Sequence, residues 1–258
     1  MSARRTVGKR AEVMIEIYYD LHIHSCLSPC GDEDMTPRNI AGMMALAGYE
    51  VIALADHNSV KNCEGIAQAA GQEGILVVPA MELCTREEVH VLCLLPDIDA
   101  ANQLEQYIYT TMPNIKNRAD IFGRQIHMDG QDKIIGEEER LLISAANIGI
   151  YDVYDLVKSY GGTAMPAHMD RQSFSLISNL GFYDSLMQFP VIELTADCDS
   201  AAFKKQHNIT IPHIVNSDAH SLEQIPDPMR KMRLEDFSAV GVIRALEESK
   251  ENPEILSL

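Results

Sequence analysis

Residues 15–25, IEIYYDLHIHS, join a strand-like run to two histidines that are one residue apart. A β-strand places every second side chain on the same face, so His22 and His24 leave the end of this strand in one direction. Two imidazoles in this arrangement form either an ordinary polar edge or part of a metal site. The pair alone does not decide between these interpretations.

Strand-like and helix-like segments alternate along the rest of the chain. Thr36 and Pro37 are typical of the first turn of a helix that continues through IAGMMALAG. Two strand-like runs with a short connection follow the second helix, at residues 75–85 and 87–95. This alternation predicts an α/β fold with a parallel sheet, either open or closed into a barrel.

The domain organisation is predicted from breaks in this alternation. Residues 1–16 are basic and lack the apolar segment of a signal peptide, which favours a flexible arm. Residues 17–258 are long enough for a single domain. Residues 97–150 are mainly polar and helix-like. They are interpreted as an inserted helical subdomain or lid, the alternative being two ordinary helices of the barrel.

Composition limits the classes of function. The 258 residues are 46% hydrophobic and contain no run of about 18 apolar residues, so we expect a cytoplasmic protein without a membrane span. The net charge of −17 repels polyanions, and we therefore expect no binding of long duplex nucleic acid. If the protein handles phosphate, bound cations must reverse the field locally.

Six of the nine histidines lie in or directly after strand-like segments, and acidic residues lie near them. The carboxyl ends of parallel strands gather at one face of an α/β fold, where these side chains would meet in one pocket. Mixed imidazole and carboxylate donors suit Zn²⁺, Mn²⁺ or Fe, and more than four ligands imply more than one ion. The predicted metal ligands are His22, His24, His57, Glu82, His90, His168, Asp218 and His220.

The order of these motifs resembles that of the PHP family, named for polymerase and histidinol phosphatase domains. The matching segments run from Tyr19 to His220 and are DLHIHS, ADHN, the stretch from Glu82 to His90, PAH and SDAH. The resemblance implies a distorted (β/α)7 TIM-like barrel with a metal-dependent phosphoesterase site. It implies three ions, with donor sets His22/His24/Glu82/Asp218, His57/His220 and Glu82/His90/His168.

One position departs from the pattern of the family. Some members carry a further histidine six residues after the second histidine of HxH, and Cys30 occupies that position here. Either the Cys30 thiolate ligates, or Asp32 reaches the site, or the second ion is weakly held. The prediction is therefore two or three divalent transition-metal ions.

The predicted activity is hydrolysis of a phosphoester by a metal-activated hydroxide. The predicted substrate is a small phosphorylated metabolite, a nucleotide or a short oligonucleotide end. A metal-dependent amidohydrolase and a non-catalytic, metal-stabilised PHP module are the alternatives, and the oligomeric state is not predicted.

Two further residues are candidates for catalysis. Arg171 follows His168 by three residues, so it either binds the substrate phosphate or forms a structural ion pair, for example with Asp170. Asp56 precedes His57 and either orients an imidazole or transfers a proton to the leaving group.

Overall fold

The strand that carries His22 and His24 lies inside a six-stranded sheet. A computed structural model describes residues 14–228 and 230–256. In chain order the elements are β1 (Ile15–Ile23), α1 (Pro37–Ala47), β2 (Val51–Leu54), α2 (Cys63–Gln72), β3 (Leu76–Cys84), β4 (His90–Leu94), α3 (Ile98–Thr111), α4 (Ala119–Phe122), β5 (Ile126–Met128), β6 (Ile134–Glu137), α5 (Ile150–Ser159), β7 (Thr163–Pro166), α6 (Leu176–Leu180), β8 (Ile192–Leu194), α7 (Ser200–Gln206), β9 (His213–Val215), β10 (Lys231–Leu234) and α8 (Ala239–Glu248).

The sheet is curled, and its strand order is β10-β1-β2-β3-β4-β7. β1, β2 and β3 are parallel, as predicted, but β4 runs antiparallel to both β3 and β7. Only residues 85–89 connect β3 to β4, which is too short for the crossover that a parallel pair requires. The prediction of a parallel sheet is therefore wrong at β4 and at β10, which is antiparallel to β1.

The predicted (β/α)7 TIM-like barrel is confirmed only as a mixed α/β fold with a half-barrel sheet. β8 and β9 form a separate parallel pair of three residues each. A hydrogen bond from Met169 N to Glu193 O (3.0 Å) links the end of β7 to β8. A single bridge between Ile23 and Ala219 links β1 to the segment after β9. Because β8 and β9 are this short, they do not continue the hydrogen-bond ladder of the six-stranded sheet into a closed barrel.

Two predicted segments differ in the structure. Residues 1–13 of the predicted arm lie outside the described residues, while Ile15 and Glu16 already pair with β10. In the predicted helical insertion, 97–150, α3 is followed by one helical turn and then the hairpin β5–β6. The Asp129 carboxylate accepts hydrogen bonds from the backbone N–H groups of Gln131 and Lys133, which stabilises a turn there instead of a helix.

The helices pack apolar faces against the sheet. α1 begins as predicted, since the Thr36 hydroxyl accepts a hydrogen bond from Asn39 N (3.3 Å), and it ends at Gly48 with a φ of 94°. Ile40 and Met44 on its inner face are fully buried. Within the described residues, no helix has the length and apolar character needed to cross a membrane.

Candidate metal centre

All eight predicted metal ligands lie at one end of the sheet. They leave the carboxyl ends of parallel strands, apart from His90, which opens β4 and reaches the same edge because β4 is antiparallel. Seven of the eight are buried, and His220 is partly exposed. The fold thus brings together side chains from β1, β2, β3, β4, β7 and the segment after β9.

The carboxylate of Glu82 lies at the middle of this cluster. Five histidine nitrogens approach its two oxygens, which is the arrangement expected of a bridging ligand. The Oε1 atom lies 2.9 Å from His90 Nδ1, 3.0 Å from His168 Nε2 and 3.4 Å from His22 Nε2, and the Oε2 atom lies 2.9 Å from His57 Nδ1 and 3.5 Å from His24 Nε2.

His22, His24 and Asp218 form a compact donor group beside Glu82. The Nε2 atoms of His22 and His24 are 3.1 Å apart, and they lie 3.2 and 3.1 Å from Asp218 Oδ1. Tetrahedral ligands at about 2.1 Å from one ion are separated by about 3.4 Å. These three side chains therefore have the spacing of donors that share an ion. Two further groups have all their donor atoms within 4.8 Å of one another, His24/His57/His220 and His57/Glu82/His90.

Three buried atoms of the cluster lack hydrogen bonds. Among the described residues, His57 Nδ1, His168 Nδ1 and Asp218 Oδ1 are buried without a hydrogen-bond partner. Charged or polar atoms of the cluster lie close to two of them, His57 Nδ1 and Asp218 Oδ1. Leaving buried polar atoms unpaired is costly, and native proteins rarely do so. A cation bound among the donor atoms would satisfy an unpaired carboxylate oxygen or imidazole nitrogen that faces it, so the residues present fit divalent metal ions.

The electrostatics keep the carboxylates ionised. Burial would raise the pKa of Glu82, but the surrounding histidines, His90 first among them, lower it well below its usual value. Burial would likewise lower the pKa of His22, yet three carboxylates raise it well above its ordinary value, those of Glu193, Asp218 and Glu82. An ionised carboxylate is the form that binds a cation.

Glu193 is a site residue that the sequence analysis missed. Its carboxylate oxygens lie 3.0 and 3.1 Å from His22 Nδ1, on the side of the ring away from the donor cluster. It also accepts hydrogen bonds from Asn216 Nδ2 (2.7 Å) and from the backbone N–H of His168 (2.7 Å). Glu193 therefore holds the proton of His22 at Nδ1, which leaves Nε2 as the ring atom that would bind a metal. The available signal was an acidic residue between Ile192 and Leu194 in an apolar strand.

Asp56 lies behind the histidines and lines neither of the cavities beside the cluster. It accepts hydrogen bonds from the Ser25 hydroxyl (2.6 Å) and the Ser28 hydroxyl (2.6 Å). Because Ser28 donates to Asp56, its oxygen accepts from His24 Nδ1, 2.9 Å away. This position favours the orienting role over proton transfer, and the oriented ring is that of His24.

Cys30 lies at the rim of the cluster. Its Sγ atom lies 3.2 Å from His57 Nε2. Burial would raise the pKa of the thiol, but hydrogen bonds to His220 and His57 lower it to about 7. Asp32, the alternative donor, reaches this region through its backbone N–H, which donates to the His220 carbonyl.

Arg171 forms an ion pair with Asp218. Asp170, suggested as its structural partner, instead accepts hydrogen bonds from the backbone N–H (2.9 Å) and the hydroxyl (2.5 Å) of Thr195. The Arg171 side chain is 43% exposed, so its guanidinium remains accessible to a ligand.

Two cavities open beside the cluster, with volumes of about 270 and 460 Å³. The smaller contains Cys30 and Phe174 in its walls, and the larger contains Arg230. Both are bounded by the same three residues, His168, Arg171 and Asp218. Of these, His168 and Asp218 have positive φ values of 27° and 51°, a strained backbone that occurs preferentially at functional sites.

Comparison with known proteins supports the resemblance at the level of the fold. No family model matches the sequence. An uncharacterised protein of Methanocaldococcus jannaschii is 27% identical over 163 residues, which are 63% of this chain and 18% of that protein. A two-domain protein from Bacteroides vulgatus that contains a predicted PHP-like metal-dependent phosphoesterase has a TM-score of 0.54 and 15% identity, over 97% of this chain and 68% of that one. The chain has the PHP-like fold.

Two further structures with a similar fold are of endonuclease Q, a lesion-specific endonuclease. Endonuclease Q from Pyrococcus furiosus has a TM-score of 0.62 and 20% identity, over 90% of this chain and 56% of that one. A second structure with the same TM-score is endonuclease Q in complex with a 27-mer duplex that carries an abasic lesion at the active site. The present chain thus spans little more than half the length of endonuclease Q.

The endonuclease Q complex contradicts one expectation from the sequence. The sequence predicts a small phosphorylated substrate, and long duplex nucleic acid is excluded there because of the net charge of −17. A chain with the PHP-like fold nevertheless binds a 27-mer duplex. The prediction was wrong because net charge averages over the whole surface, whereas binding of a phosphate depends on the field at the site.

Proposed function

We propose that this protein is a metal-dependent phosphodiesterase that hydrolyses the backbone of a nucleic-acid strand. The observation that carries the proposal is the pair of cavities that meet at His168, Arg171 and Asp218, directly beside the donor cluster. A phosphodiester has a substituent on each side of the phosphorus, and therefore needs space on both sides. A phosphomonoester needs only one such space.

The donor cluster would hold two or three divalent transition-metal ions, namely Zn²⁺, Mn²⁺ or Fe²⁺, because its donors are imidazole and carboxylate. Bound there, the ions would stabilise charge on the phosphate and lower the pKa of water toward neutrality. The proposed ligand sets are His22/His24/Asp218/Glu82 for one ion, Glu82/His90/His168 for a second, and His57/His220 with Cys30 for a third.

Arg171 would bind the phosphate that is cut. Its guanidinium lies on the wall shared by both cavities, where a phosphate that bridges them would lie. A guanidinium binds two phosphate oxygens at once, which fixes orientation as well as charge. Arg171 and the bound cations would thus supply positive potential at one place on an otherwise acidic surface.

We place this centre on a single domain, residues 17–258, built as a distorted (β/α)7 barrel with residues 97–150 inserted beside the site. Two contacts support this arrangement. Asn58 Nδ2 donates hydrogen bonds to the carbonyls of Leu142 (2.7 Å) and Ser144 (2.9 Å), next to the metal ligand candidate His57. Ile143, between them, lines the smaller cavity, so the insertion would shape access to the metals.

The test is strand cleavage by metal-loaded protein. End-labelled single strands, intact duplex and duplex with one abasic residue are incubated with protein supplied with Mn²⁺ or Zn²⁺, and the products are resolved on a sequencing gel. We expect internal cleavage that is abolished by chelator and in Asp218→Ala. Release of phosphate from monoesters or hydrolysis of amides, without strand cleavage, would contradict the proposal. Metal-loaded protein that turns over none of these would instead favour the non-catalytic module.

A further inference from the structure

Phe174 is an aromatic residue that is exposed beside the donor cluster. It is 45% exposed and lines the smaller cavity. Its φ is +54°, in the left-handed region that bulky side chains rarely adopt. Burying a phenyl ring and relaxing its backbone would both favour folding, so neither feature is explained by stability. Strain of this kind points to a functional requirement.

The position of Phe174 is held from several directions. Its ring stacks on the imidazole of His90, with centroids 4.8 Å apart and planes inclined by 21°. Its carbonyl accepts a hydrogen bond from His90 N (2.9 Å). The next residue, Ser175, caps α6 and donates from its hydroxyl to the Arg171 carbonyl (2.7 Å). One face of the ring is thus fixed on His90, and Phe174 forms part of the wall of the smaller cavity.

We propose that Phe174 is the stacking platform for a nucleobase adjacent to the phosphate that is cut. This inference rests on the proposed phosphodiesterase function and adds how the strand is positioned. Arg171 lies three residues before Phe174 and lines the same cavity, so phosphate and base would be held by one short loop. Ile143 provides a second apolar wall to that cavity. Stacking on an aromatic ring binds any base, because each base has a π face.

The alternative role for Phe174 is to shield His90 from water. The two roles differ in their dependence on a base. Once the cleaved position is mapped, matched strands are prepared with either a normal nucleotide or an abasic residue on each side of it. We expect Phe174→Ala to raise KM about tenfold on the strand with the base and to leave the abasic strand unchanged. Phe174→Trp should restore binding, whereas Phe174→Leu, which keeps apolar bulk without a π face, should not.

A second readout does not need turnover. A strand with 2-aminopurine at the stacked position should lose fluorescence when it binds the protein, and this quenching should be absent in Phe174→Ala. Phe182→Ala is the matched control, since Phe182 is 50% exposed and lines neither cavity. We expect it to behave as the unmodified protein in both assays.

The outcomes separate the two proposals. Equal losses of kcat on base-containing and abasic strands, together with reduced metal content, would show shielding of His90 and overturn the stacking role. Unchanged kinetics and quenching in Phe174→Ala would overturn it as well. If the unmodified protein cleaves no strand, it is the phosphodiesterase function that fails.

Discussion

His22 Nδ1 lies 3.0 Å from Glu193 Oε2, although 171 residues separate the two in the chain. Both side chains are buried, and the contact joins β1 to β8, which share no continuous ladder. Asn216, directly after β9, donates to the same carboxylate. Three strand ends are therefore linked behind the metal cluster by one acidic side chain.

The first prediction tests this link. Glu193→Gln keeps the size of the side chain but removes the charge that fixes the His22 tautomer. We expect metal affinity to fall about 10- to 100-fold, as is usual when such a partner of a ligating histidine is lost. Competition with a chromophoric chelator measures the affinity, and circular dichroism checks the fold. Glu64→Gln, on the outer surface of α2, is the control. Unchanged affinity in Glu193→Gln would show that the contact is structural only.

The second prediction concerns metal content and stability. Protein purified without chelator should carry two or three transition-metal ions per chain, measured by elemental mass spectrometry. Removing them should lower the melting temperature, because ions that bind only the folded state stabilise it in proportion to RT ln(1 + [L]/Kd). Fewer than about one ion per chain would contradict a multinuclear centre.

The third prediction concerns the first donor group. His22→Ala or Asp218→Ala should reduce turnover by ~10³-fold or more, because both side chains have the spacing of ligands to one ion. Circular dichroism should show a retained fold, and His127→Ala on the β5–β6 hairpin should keep full activity. Near-normal turnover with reduced metal content would show that this ion is dispensable.

The fourth prediction separates the two roles of Asp56. If Asp56 orients His24 through Ser28, then Ser28→Ala and Asp56→Asn should weaken metal binding to a similar degree, with the same pH profile as the unmodified protein. If Asp56 transfers a proton, Asp56→Asn should remove one limb of the pH–rate profile while metal content stays normal. Asp56→Asn also weakens bonds to Ser25, so we expect a loss of about 1–3 kcal/mol in the free energy of unfolding.

The sequence predicts the candidate metal ligands better than the residues and strands that hold them in place. His22 and His24 are identified from local spacing, and the other candidates follow from the motif order, because ligands lie in short, recognisable segments at strand ends. Glu193 is not identified, since its role depends on which strands become neighbours. The orientation of β4 is missed for a related reason, although its short connection to β3 was visible. The hairpin at 126–137 is missed because its polar residues suit an exposed helix as well as an exposed ribbon.

The last prediction concerns Arg171. Its ion pair joins a guanidinium that is 43% exposed to the buried carboxylate of Asp218. In metal-loaded protein the bound cations would also neutralise Asp218, so Arg171→Ala should not leave a buried charge unpaired and should change the melting temperature little. If Arg171 binds the phosphate, this variant should raise KM sharply while metal content stays normal, because binding is lost in ground state and transition state alike. Arg171→Lys should recover only part of the loss, since an ammonium keeps the charge but not the planar fork. Arg86→Ala, on an exposed turn, is the control. An Arg171→Ala protein that melts early but keeps its KM would show that the ion pair with Asp218 is structural and that the cations bind the phosphate without it.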